Sequence, residues 1–199
     1  MKHLRLGGLI AAMAMAALMA GAGTASATVL CKGSTTPCGA DYAAFTEFKV
    51  EQMPGNTSLW YANGMTVDTC ENSLMLGKTQ NTGGFGLAVN VFFSTFTWGP
   101  CEKKAKKIVE LGELEIKSVP EGKGTLFLKN LVWEEGSCRF GGKNADIGVI
   151  TKPEAGKTYS TFLVDVKYPL ISGLGCPATM TWAATYKVTA PTPLYIAES

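Results

Sequence analysis

Acids, lysines and six cysteines are the residues through which this chain could do chemistry, because its single histidine is His3, at the start of the sequence. Residues 1–27 read as a signal peptide. Lys2, His3 and Arg5 make a positive start, residues 6–19 are almost wholly apolar, and Ala25-Ser26-Ala27 fits a small-x-small cleavage site. The apolar run is short for a transmembrane span. Thr28 is therefore expected to begin a secreted, extracellular chain with no stable membrane insertion after cleavage. Losing His3 excludes Ser-His-Asp and Cys-His nucleophiles, histidine-ligated zinc and the commonest general base at neutral pH.

Carboxylate chemistry survives that filter. Glycoside hydrolysis needs two acids about 5–10 Å apart, one with a raised pKa. Asp68 and Glu71 flank Cys70, Glu134 and Glu135 follow Trp133, and Asp165 lies in a strand-like run. Against this, Glu134-Glu135-Gly136 reads as an exposed turn and Asp68 as the outward side of a strand. No catalytic residue, cofactor or metal ligand is expected. Trp60-Tyr61, Trp98, Trp133 and Trp182 could form a flat platform for sugar rings. Each lies in strand-like sequence, where an indole is ordinarily core. Lys103, Lys104, Lys106 and Lys107 could meet an anionic cell-wall polymer. Beside Glu102, Glu110 and Glu113 they read as a solvated loop.

All six cysteines follow the expected cleavage site. An exported chain meets oxidising conditions, so the even count reads as three disulfides. Sequence alone leaves the pairing open. The favoured set is Cys31–Cys38, Cys70–Cys101 and Cys138–Cys176, each of the two larger loops contributing roughly 3.5–4 kcal/mol on the chain-entropy model. Oxidation would also remove thiolate catalysis and thiolate metal sites. Cleavage takes Lys2 and Arg5, so 18 basic residues become 16 against 16 acidic. A neutral chain without a basic excess argues against a nucleic-acid partner.

Residues 28–199 read as one secreted β-domain, long enough for a real core. Strands are expected over 45–52, 57–62, 65–76, 85–98, 113–117, 125–133, 147–151, 158–168, 179–189 and 194–196. Asn63-Gly64 is a strong two-residue hairpin signal. In FGLAVNVFFSTFTW (residues 85–98) one alternating set holds Phe85, Leu87, Val89, Val91 and Phe93, and the other Ala88, Phe92, Phe96 and Trp98. That pattern predicts a strand covered on both faces. Residues 66–101 and 131–177 share a build of strand, cysteine, glycine-marked link, strand and cysteine, and read as two clamped halves. The expected fold class is all-β: a single disulfide-stapled sandwich or flattened Greek-key barrel.

The Ala-Ser-Ala end of the leader before TVLCK, the Cys31–Cys38 pair, GKTQNTGG, FTWGPC, LGELEI and the closing PLYIA carry a resemblance. The chain resembles a group of uncharacterised secreted bacterial proteins of high-GC Gram-positive lineages. Its Cys- and Gly-punctuated strands are also similar to secreted proteins of the "activator of alkane oxidation" type, which implies a surface or matrix role. Neither resemblance implies a site residue.

The function expected is that of a non-enzymatic domain, structural or binding, at the cell surface or in the extracellular matrix, with a cell-wall polymer or glycan as the partner to test. One alternative is a histidine-free carboxylate hydrolase of polysaccharides. The other is a small apolar ligand in a closed cavity lined by Phe92, Phe93 or Phe96.

Overall fold

The computed structural model describes residues 28–35, 37–84 and 86–198; the expected signal peptide lies outside them. The first strands are β1 (Thr28–Cys31), β2 (Glu47–Gln52), β3 (Ser58–Ala62), β4 (Met65–Cys70), β5 (Ser73–Thr79) and β6 (Gly83–Gly84). There follow β7 (Val89–Trp98), β8 (Lys106–Glu110), β9 (Glu113–Val119), β10 (Lys123–Lys129) and β11 (Leu131–Glu135). The last are β12 (Cys138–Gly142), β13 (Ala145–Thr151), β14 (Thr161–Ser172), β15 (Thr179–Ala190) and β16 (Tyr195–Glu198). Among the described residues a single 3-10 turn, Pro120–Gly122, links β9 to β10. The chain is all-β, as its alternation and turn spacing predict.

Eight antiparallel strands close into a barrel in the order β15-β2-β5-β7-β9-β10-β13-β14, with β14 pairing back onto β15. Strand β14 shows the rule of its wall. Phe162, Val164, Val166 and Tyr168 are buried, while Leu163, Asp165 and Lys167 face out. A barrel lying in lipid alternates the other way, apolar outward. No helix among the described residues is long and apolar enough to cross a membrane.

Strands β14 and β15 are longer than the barrel needs, and their surplus builds a second layer. The Thr181–Ala183 stretch of β15 pairs with β3, which pairs with β4; the far end of β14 pairs with β12, then β11, then β8. The two outermost strands, β4 and β8, curl toward each other. Residues 100–102 run against β4, with Glu71 N–H donating to the Pro100 carbonyl (2.9 Å) and Glu102 N–H to that of Thr69 (2.9 Å). One apolar core runs through both layers, from Phe48, Val50 and Ile116 in the barrel to Trp60, Trp133 and Trp182 in the second layer. A small sheet, β16-β1-β6, joins the two ends of the described chain, and its Leu30 and Ile196 reach the same core.

Strand β7 departs from its expected cover on both faces. Its register against β5 slips by one between Thr95, opposite Leu76, and Phe93, opposite Gly77, leaving Ser94 as an extra residue. A one-residue bulge reverses which side chains face in. Val89, Val91 and Phe93 before it, and Phe96 and Trp98 after it, therefore all turn inward, and Phe92 is left outside. Phe96 and Trp98 of the second alternating set belong to the same buried face, seen past the bulge, and its Phe92 does not. Gly77 is required there, since a Cβ would lie 2.3 Å from the Phe92 carbonyl oxygen.

Disulfides join Cys31–Cys38, Cys70–Cys101 and Cys138–Cys176, with Cα separations of 5.8, 3.9 and 5.7 Å. The two larger ones both lie in the second layer. They do not clamp separate halves: the barrel and the second layer each draw strands from both cysteine-bracketed stretches.

Candidate functional site

The chemistry-bearing side chains gather in the second layer, where β4 and β8 approach. Asn63 and Gly64 both take positive φ (51° and 77°) and turn β3 into β4. Strand β4 then carries its own bulge: Tyr61 pairs with Thr66 but Trp60 with Asp68, which leaves Val67 extra. Met65 is consequently exposed, and Asp68 and Cys70 are buried. Asp68 thus faces inward, contrary to its expected outward position, because partners inside the layer replace its water.

Those partners fill the carboxylate. Its Oδ1 accepts from the Thr69 N–H (2.9 Å) and the Lys103 N–H (3.0 Å), and its Oδ2 from the Lys104 N–H (3.2 Å) and the Lys106 ammonium. Lys106 opens β8 and stands opposite Glu135 of β11 in register. Its Nζ lies 2.8 Å from Glu135 Oε2, 3.2 Å from the Lys104 carbonyl it donates to, and 5.3 Å from the centre of the Trp60 ring. The ammonium donates to Asp68 and to the Lys104 carbonyl, and Glu135 Oε2 lies at ion-pair distance without a hydrogen bond of its own. An indole face covers the group. The Lys106 side chain is 0% exposed, Asp68 1% and Glu135 12%. Burial pushes the Asp68 carboxyl up, but the Lys106 and backbone hydrogen bonds outweigh it and hold the group below the usual carboxylate range.

The tryptophans form the wall of this cluster. Trp60 meets Trp133 at 4.6 Å, Trp98 at 5.0 Å and Trp182 at 6.1 Å between ring centres, and all four are buried. They are core, as strand-like context suggests, and form no open platform. Tyr61 is half-buried beside them. Of the other acids, Glu71 is exposed at a turn, Glu134 faces Arg139 at 3.9 Å, and Asp165 stands on the outer barrel wall. Lys103, Lys104 and Lys107 are exposed, as the solvated-loop reading has it. Lys106 departs from that reading. Its one sequence signal is parity: Lys106 and Ile108 share a strand face, and Ile108 packs on the core.

The structure therefore brings together two of the expected acids, Asp68 and Glu135, next to two of the expected indoles. It does so around a buried cation, in a region closed to solvent and not in a groove. Glycoside hydrolysis needs an open cleft and an acid with raised affinity for its proton, and Asp68 is shifted the other way.

A second feature lies on the outer wall of the barrel, at the Ser94 bulge. Phe45, Glu47, Leu76, Lys78, Gln80 and Phe92 line an open groove of about 480 Å³. Phe45 is 74% and Phe92 56% exposed. Phe45 takes φ 64° and is held by its N–H donating to the Thr79 carbonyl at 2.7 Å. A left-handed backbone at a large exposed aromatic is uncommon, and such strain gathers at functional positions. Phe93 and Phe96, grouped with Phe92 in the sequence, are core.

No protein-family model, curated protein or solved structure matches the chain. The resemblances noted above rest on their sequence motifs alone.

Proposed function

We propose that the protein is a secreted, non-enzymatic β-domain with a structural or binding role at the cell surface or in the extracellular matrix. The observation that carries this reading is the fate of the reactive side chains. Asp68, Lys106 and the four tryptophans are spent on the interior, where they hold β4, β8 and β11 together and have no access to a substrate. The leader-like residues 1–27 and the three disulfides support export. A screen of the purified mature protein against cell-wall polymers, glycans and lipids tests the reading. Saturable retention on one of them supports it; turnover of any polysaccharide, lost on substituting Asp68 or Glu135, overturns it.

The Phe45–Phe92 groove favours a second reading, a small apolar ligand held on the barrel wall. Fluorescence enhancement of anilinonaphthalene sulfonate that is lost in a Phe45→Ser, Phe92→Ser double variant supports this reading, and enhancement unchanged in that variant removes it.

A further inference from the structure

Cys70–Cys101 already ties the end of β4 to the segment leading into β8. Two residues before Cys70 and five after Cys101, a primary amine and a carboxyl meet in the dry interior of the same seam. We propose that Lys106 and Asp68 become joined by an amide bond between Nζ and Cγ, with Glu135 moving the protons, so that the seam carries a second covalent link beside the disulfide.

Ammonium and carboxylate ions do not condense in water, because both are strongly hydrated and the water released is already in vast excess, which favours hydrolysis. Neither condition holds here. Lys106 has no exposed side-chain surface and lies under the Trp60 ring, and Asp68 is all but fully enclosed. Removing the hydration shell raises the free energy of the separated charges relative to a neutral amide. Two groups held in permanent contact also react as though at very high concentration.

The three groups have distinct parts. Asp68 is immobilised by the N–H groups of Thr69, Lys103 and Lys104, which reach both its oxygens. Those donors draw electron density from Cγ and stand where negative charge would develop as nitrogen adds to it, as in an oxyanion hole. Glu135 is longer in reach, and its buried Oε2 lies 2.8 Å from Nζ with no hydrogen bond of its own. It is placed to take a proton from nitrogen and return it to oxygen.

The balance is that of a dehydration. The ammonium gives one proton to the Glu135 carboxylate, and the freed amine pair forms the C–N bond at Cγ. The added nitrogen then gives up a second proton. Both protons end on the departing Asp68 oxygen, one of them by way of Glu135, and the C–O bond breaks to release one water. One hydrogen stays on the amide nitrogen, and Glu135 returns to its starting form. Nothing is oxidised or reduced, so no partner molecule is needed.

Intact-mass measurement of the purified, secreted wild-type protein decides the question, and needs no knowledge of the ligand. The expected mass is one water below that of the sequence with three disulfides. After reduction and proteolysis, a branched peptide should still join the segment around Asp68 to the one around Lys106. The Glu135→Gln variant should keep the water and give separate peptides, and Lys106→Arg likewise. A wild-type protein of full mass whose reduced peptides separate cleanly overturns the proposal and leaves an ion pair. A branch to Glu135 in place of Asp68 overturns the assignment of partners, and loss of water in Glu135→Gln overturns the role given to Glu135.

Discussion

In the ion-paired form, before any amide is made, the cost of taking the Lys106 ammonium out of water is several kcal/mol, and it is offset only while Asp68, Glu135 and the Lys104 carbonyl all stay in place. Removing Asp68 leaves Lys106 with Glu135 alone at ion-pair distance and strips the Thr69, Lys103 and Lys104 N–H groups of their acceptor. Asp68→Ala should therefore lower stability by about 3–5 kcal/mol in chemical denaturation, and a loss below about 1 kcal/mol would mean that water reaches the cluster. Glu115 makes a contrasting site on β9. Burial pushes its carboxyl up, but hydrogen bonds from Lys117 (2.5 Å) and Lys129 outweigh it and hold the group below its ordinary range. The unfolded chain then binds the proton more readily than the folded one. The stabilisation is present above the ordinary carboxylate range and is lost as pH falls through the folded value. Glu115→Gln should flatten the acid limb of a stability–pH curve. Two buried phenols report on the interior at the other extreme. Burial pushes Tyr186 up to about 12, in part countered by its hydrogen bonds with Ser58 and Ser73, and drives Tyr168 well above its usual range. In an alkaline absorbance titration these two should ionise only as the protein unfolds.

At the scale of elements, bulges decide which residues are inside. Deleting Ser94 should turn Phe96 and Trp98 out of the core and abolish the native near-ultraviolet dichroism, whereas Ser94→Ala should be close to neutral. The same two bulges mark the limit of what is legible in the sequence. Most strand positions and the Asn63-Gly64 turn follow from local alternation and turn chemistry. The favoured disulfide set is the one formed, although spacing alone leaves it open, and β1, β8 and β12 are strands that the sequence reading does not expect. A bulge adds one residue without changing composition, so nothing local announces that Phe92 faces out or Asp68 faces in. The Lys106–Asp68–Glu135 cluster was unreadable for a related reason. Its members come from three strands that pair only once the second layer has curled, and a buried lysine is written in the same letter as its solvated neighbours.

For the molecule as a whole, the disulfides and the shared strands set how it comes apart. Replacing Cys138 and Cys176 together by Ala should cost roughly 3–4 kcal/mol, read from the shift in denaturation midpoint. Calorimetry should show one transition and not two, because a single apolar cluster fills both layers. The β14–β15 hairpin is the reason. Each of its strands spends one stretch in the barrel wall and another in the tryptophan-lined layer. A protease therefore finds no hinge at which to divide the chain into two surviving fragments, and an engineer cannot excise either chamber intact. Whatever grips the outside of one chamber pulls on the other through a wall they own in common.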